Sequence, residues 1–206
     1  MSETSPTVFV VDDDVSFQVS VARLLRASGF QVRTFSSATD FLAQRPPGSR
    51  GCVVTDLQMP GMTGIELQAA LAESDNPLPI LFLTGHGDIP TSVKAMRHGA
   101  EDFLTKRAPK EELLAAVQRA LARDVQDQAE RTRRHELRSR FSRLTPRERE
   151  VLTHVLRGQL NKQIAADLGI NERSVKRHRT SLMAKLQIQS VAELGQLAVQ
   201  AGFSDR

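Results

Sequence analysis

The sequence predicts a doubly wound α/β domain with a five-stranded parallel sheet, joined by a helical linker to a small all-α domain. Three observations predict it. Five short apolar runs alternate with helical patterns up to Pro109, which implies parallel strands linked by right-handed crossovers. After Pro109 no strand-like run returns and the periodicity is helical throughout. The charge also changes sign: residues 1–118 hold 10 Lys and Arg against 14 Asp and Glu, a balance of −4, whereas residues 119–206 hold 18 against 10, a balance of +8. Only the rear part is therefore suited to meet a polyanion.

The strands are predicted at 7–11 (TVFVV), 30–35 (FQVRTF), 51–56 (GCVVTD), 78–85 (LPILFLTG) and 101–106 (EDFLTK). They are short and rich in Val, Phe and Ile and read as strands, several of them buried on both faces. Between them, VSFQVSVARLLRAS sets Val15, Val19, Ala22 and Leu25–Arg26 around one apolar stripe, with Asp14 at the helix start and Gly29 at its stop. GIELQAALAES and IPTSVKAMRHGA behave likewise, the second with Asp88 as N-cap and Pro90 in its first turn. PKEELLAAVQRALARDV gathers Leu113, Leu114, Val117, Leu121 and Val125 on one side to close the sheet.

The resulting boundaries are 1–122 for the α/β domain, 123–141 for the linker and 142–206 for the last domain. The linker is dense in charge. It reads as a solvated helix, though Ala129, Leu137 and Phe141 permit a short coiled coil between two chains. In the last domain, Thr145, Pro146 and Glu148 form a capping box with proline at the first helical position. NKQIAADLG and ERSVKRHRTSLMAKL are then two short helices hinged at Gly169, a helix-turn-helix, supported by SVAELGQLAVQAG. Val175, Leu182 and Leu186 recur at helical spacing and must face that domain's core, which turns Lys176, Arg177 and Thr180 outward.

Composition narrows the setting. No apolar run reaches the roughly 18 residues of a membrane span, and the acidic first residues lack a signal-peptide layout. The single Cys52, inside an apolar run, allows no internal disulfide and fits a small buried residue in a reducing cytoplasm.

In a doubly wound sheet, ligands sit beyond the carboxyl ends of the strands. Here those ends carry Asp12, Asp13 and Asp14 on the first, Asp56 on the third, Thr84 on the fourth and Lys106 on the fifth. Crowded carboxylates repel one another and call for a hard dication, Mg²⁺ being suited to oxygen ligands and phosphate. With such an ion in place, Asp56 can attack a phosphoryl group while Lys106 shares the charge of the transferring oxygens.

The segments VVDDD, VTDLQMPGMTG, FLTGHGD and FLTK, in that order, resemble the flavodoxin-like receiver domain of two-component response regulators, and NKQIA, SVKRH and AKL resemble the LuxR-type output domain. Nearly the whole chain is similar to the FixJ/LuxR (NarL/FixJ) type. The resemblance implies a transcription regulator rather than an enzyme, whose Asp56 takes a phosphoryl group from a sensor histidine kinase. It implies Mg²⁺ held by Asp12, Asp13, Asp56 and the carbonyl of Gln58, with Thr84, Phe103 and Lys106 answering the phosphoryl group and Gln58 and His86 tuning its loss. It also implies a homodimer on phosphorylation, paired through the fourth helix, fifth strand and fifth helix, and double-stranded promoter DNA and RNA polymerase as partners.

On the DNA, Lys176, Arg177 and Thr180 would read bases, while Lys162, Ser174, His178, Arg179 and Lys185 would hold phosphates. His178 reads equally well as a satisfied boundary residue. The sequence departs from the family pattern after Lys106, where Arg107 replaces the usual proline, leaving the peptide bond there either trans or a costly cis. Two rivals share these residues: a phosphotransferase or phosphatase working through an aspartyl phosphate, and a receiver that no longer takes phosphate and only dimerises.

Overall fold

Every predicted strand forms. The computed structural model, which describes residues 6–85 and 89–201, contains β1 (Thr7–Val11), β2 (Gln31–Phe35), β3 (Gly51–Thr55), β4 (Ile80–Thr84) and β5 (Asp102–Thr105). All pair in parallel, in the order β2-β1-β3-β4-β5. Helices α1 (Val15–Ala27), α2 (Ala38–Gln44), α3 (Gly64–Glu73) and α4 (Ile89–Arg97) alternate with them, and α5 runs from Lys110 to Ser142. Four more follow: α6 (Pro146–Leu156), α7 (Asn161–Leu168), α8 (Glu172–Leu186) and α9 (Val191–Gln200). Asp88 and His86 lie outside the described residues. Among the described residues no helix is long and apolar enough to cross a membrane.

The apolar runs of β1, β3 and β4 are unbroken because alternate residues enter two different cores, whereas the edge strands β2 and β5 keep exposed positions. Phe9, Val11, Val53 and Phe82 pack on one face of the sheet with Phe41, Leu67 and Leu71 of α2 and α3. Val8, Val10, Cys52, Val54, Leu81 and Leu83 pack on the other with Leu25 of α1 and Leu113, Ala116 and Val117 of α5. Cys52 is fully buried, which pushes its thiol pKa well up and leaves it a packing residue.

The chain divides into two compact units, Met1–Asp127 and Gln128–Arg206. Helix α5 is continuous over 33 residues, and the expected linker lies inside it. Asp124 is fully buried and accepts from Arg50 Nε at 2.9 Å and the Gly51 amide at 3.1 Å. Leu137 and Phe141 are buried with Val151, Leu152 and Ile164 in the core of the second unit. They are therefore filled by their own chain and are not the seam of a coiled coil. Ala129 is exposed.

Two stripes fall on a different register from the one expected. In α1 the buried residues are Gln18, Val21, Ala22 and Leu25, and Val15 and Val19 face solvent. The cause is polar: Gln18 Nε2 donates to the carbonyl of Phe35 at 2.7 Å and of Asp12 at 3.2 Å, which turns the helix toward it. In α5, Val125 is 55% exposed, because burial of neighbouring Asp124 rotates it outward. Helix α2, capped by Ser37, escaped the sequence reading because only Ala38 and Phe41 of its seven residues are buried.

The candidate phosphoacceptor nest and the basic helix

The strand ends deliver their groups to one rim. Carboxylate oxygens of Asp12, Asp13 and Asp56 all lie within 4.8 Å of one another. Asp12 is 2% exposed and Asp56 9%, while Asp13 faces solvent. Asp12 sits where β1 ends, its amide donating to the Phe35 carbonyl at 3.1 Å and its Oδ1 accepting the Asp14 amide at 2.9 Å. Asp14 caps α1 as expected, accepting from the amides of Ser16 and Phe17. Asp56 is held by its amide on the Val11 carbonyl, and its Oδ1 accepts from the amide of Leu57 at 2.5 Å.

Lys106 completes the nest. Its Nζ lies 2.7 Å from Asp12 Oδ2 and 2.8 Å from Asp56 Oδ2, with the Phe17 ring centroid 4.4 Å away. The backbone sets this position, since the Lys106 amide donates to the Thr84 carbonyl at 2.8 Å. Among the described residues no peptide bond is cis, so Lys106–Arg107 is trans and the lysine still reaches both carboxylates. Arg107 is exposed.

Burial raises the Asp12 pKa above its ordinary value, against the lowering pull of Lys106. Burial also works to depress Lys106, but its bonds to Asp12 and Asp56 outweigh this and raise its pKa. One ammonium thus faces three carboxylates, an excess of negative charge with oxygen donors from two strands. That donor set fits a hard dication such as Mg²⁺.

Thr84 is 2% exposed at the end of β4. Phe103 is half-buried with its ring 5.8 Å from that of Phe82. Gln58 is exposed beside the nest, its amide 3.4 Å from Asp56 Oδ1. Two positions escaped sequence reasoning. Gln18 was hidden by its polarity. Gly64 packs so closely that a Cβ there would stand 2.3 Å from the Asp56 carbonyl oxygen and 3.0 Å from the Phe82 ring; its place in PGMTG was the available signal.

The second unit presents the helix-turn-helix. Gly169 ends α7 in the left-handed conformation, φ 62°, and Asn171 caps α8 by accepting the Ser174 amide at 2.8 Å. Val175, Leu182 and Leu186 are buried, while Lys176, Arg177, Thr180 and, on α7, Lys162 are exposed. Ser174 and His178 are half-buried. Arg179 donates to Asn161 Oδ1 at 2.8 Å, and Lys185 Nζ lies 2.6 Å from Glu148 Oε2.

Glu148 does more than cap α6. Its buried carboxylate also accepts from the Ser181 hydroxyl at 2.6 Å and the Thr145 amide at 2.8 Å. Burial opposes its charge, yet the bonds from Lys185, Ser181 and Thr145 prevail and bring its pKa down to about 2. It pins α8 to the start of the domain.

A three-carboxylate nest at the rim of a doubly wound sheet, followed by a basic helix-turn-helix, is the architecture of a DNA-binding response regulator as a class. Comparison with known families agrees. Residues 8–118 match the response regulator receiver domain and residues 142–198 the luxR family of bacterial regulatory proteins. The chain belongs to the response regulators with a LuxR-type output domain.

It is 41% identical over 194 residues to the response regulator protein TodT of Pseudomonas putida, covering 94% of this chain and 86% of that one. It is 40% identical over 200 residues to the transcriptional regulatory protein FixJ of Rhizobium meliloti, covering 97% and 98%. The solved structure of the response regulator StyR is similar at TM-score 0.79 and 47% identity, covering 96% of this chain and all of that one. The chain is a two-component, DNA-binding transcriptional regulator.

Proposed function

We propose that Asp56 is the phosphoacceptor and that its phosphorylation by a sensor histidine kinase switches the chain between a resting and a DNA-binding dimeric form. The observation that carries this is the placement of Asp56 Oδ2 on Lys106 Nζ at 2.8 Å, within a nest completed by Asp12 and Asp13. An Asp56 oxygen attacks phosphorus as the bond to the kinase's histidine nitrogen breaks, and Lys106 neutralises the transferred oxygens. Asp12, Asp13, Asp56 and the Gln58 carbonyl would hold Mg²⁺, which supplies charge neutralisation at the phosphoryl group. Thr84 and Phe103 then answer the two negative charges added at Asp56.

The face of α4, β5 and α5 is the dimer surface of this reading. Val93 and Met96 support it, standing 43% and 46% exposed on α4. Two output domains then engage half-sites in promoter DNA, with Lys176, Arg177 and Thr180 reading bases and Lys162, Ser174, His178, Arg179 and Lys185 along the phosphates. RNA polymerase is the further partner, the cytoplasm the compartment, and regulation rather than catalytic turnover the output. Incubation with acetyl phosphate and Mg²⁺ followed by intact mass tests the switch. One phosphoryl group is expected on the wild type and none on Asp56→Asn. An unmodified wild type, or a modified variant, would refute it.

A further inference from the structure

The second unit carries a basic recess of whose cations only Lys185 figures among the DNA contacts proposed above. It has a volume of about 220 Å³ and lies between the last turns of α5 and the end of α8, lined by His135, Glu136 and Arg140 of α5, Arg143 just beyond it, Lys185 of α8 and its C-cap Gln187. The surrounding stretch, residues 128–144, holds six arginines against two glutamates. Lys185 is tied to Glu148. Arg140 and Arg143 have no ion-pair partner among the described residues, and only Glu136 offsets them within the recess.

The recess continues the DNA-reading face. On α8 the exposed residues Arg177, Thr180, Ala184 and Gln187 follow one another at steps of three and four, a single stripe. From Arg177 to Gln187 that stripe advances by about 15 Å at 1.5 Å per residue. With the start of α8 in a major groove about 12 Å wide, the stripe's far end would reach the phosphates that border the groove. Arg140 and Arg143 stand beside that end.

We propose that this recess is a second DNA-backbone site, in which Arg140 of α5 and Arg143 just beyond it bind phosphates flanking the groove that α8 reads. The inference rests on the DNA-binding reading above, and it makes the end of α5 part of the DNA-binding apparatus. Both side chains contact phosphate rather than bases, so they add affinity and salt dependence without changing sequence preference.

The test uses the full chain, a fluorescent duplex selected from a random library by the wild-type protein, and a scrambled duplex of equal length. Anisotropy titrations between roughly 50 and 200 mM salt give the slope of log affinity against log salt. R140A/R143A should flatten that slope by about 1 to 2 and weaken binding about tenfold on both duplexes alike, whereas R140K/R143K keeps the slope. R177A, by contrast, should narrow the difference between the two duplexes. A wild-type slope in R140A/R143A, with R177A still impaired, overturns the recess alone. Failure of the wild type to retain any duplex overturns the DNA-binding reading and the recess with it.

Discussion

The Nζ of Lys106 lies 2.8 Å from the Oδ2 of Asp56, so the carboxylate proposed as phosphoacceptor is restrained by a cation delivered from the far edge of the sheet. The same nitrogen holds Asp12 at 2.7 Å. Without it, two poorly solvated carboxylates would repel each other across the gap between β1 and β3.

Lys106→Ala should therefore cost about 2–4 kcal/mol of stability at neutral pH in metal-free buffer, the cost of leaving buried charges unpaired. The loss should shrink as Mg²⁺ is added, and also as pH falls. The sign follows from Asp12, whose pKa is already raised in the folded state: the cost of its ionised form is complete above that pKa, shrinks as pH falls through it and is gone below the ordinary value of 3.8. Urea unfolding of both proteins with and without Mg²⁺ measures this, and equal midpoints in metal-free buffer would contradict it.

Gly64→Ala should slow phosphorylation of Asp56 and destabilise the chain by about 1–3 kcal/mol. A Cβ at 2.3 Å from the Asp56 carbonyl oxygen forces backbone to move, since that neighbour has no flexible end. Acetyl phosphate kinetics and thermal unfolding would reveal both effects. Wild-type values for both would show that the loop yields freely.

Glu148 gives the second unit an acid-sensitive anchor. Its pKa is lowered from 4.5 to about 2 on folding, so its contribution is complete above pH 4.5 and fades as pH falls toward 2. Glu148→Gln should be less stable than the wild type at neutral pH, and the two stability curves should converge over that window. Parallel curves would mean that the carboxylate's charge is not what holds Lys185.

Along α5, burial predicts opposite outcomes for two aliphatic residues. Leu137→Ala should cost about 2–4 kcal/mol through a cavity in the core with Val151 and Leu152, whereas Val125→Ser should stay within about 0.5 kcal/mol. Denaturant titration with hydrogen exchange reading the two units separately would measure each cost. A change in oligomeric state on Leu137→Ala would instead revive a coiled-coil role.

If α4 pairs with a second chain, Val93→Glu/Met96→Glu should keep the phosphate-mimicking beryllofluoride adduct monomeric in sedimentation while leaving phosphorylation of Asp56 intact. Full dimerisation of the doubly substituted protein would place the interface elsewhere.

By itself the sequence determined the sheet and the side chains that stand at its strand ends. The short Val- and Phe-rich runs of β1, β3 and β4, bounded by turn residues, read as strands covered on both faces, and a parallel sheet sends every strand's last residue to one rim. Local chemistry likewise settled the caps at Asp14 and Thr145, the left-handed stop at Gly169 and the outward face of α8, because these depend on neighbours within a few residues.

Tertiary structure decided the registers. Which side of α1 turned inward depended on Gln18 reaching the Phe35 carbonyl, and Val125 lost its place to Asp124 through an ion pair with Arg50, 74 residues away. Whether Leu137 and Phe141 met their own core or a second chain, and whether Lys106 reached the nest without a following proline, were also settled only by packing. Such choices turn on partners distant in the chain, and no periodicity within a helix encodes them.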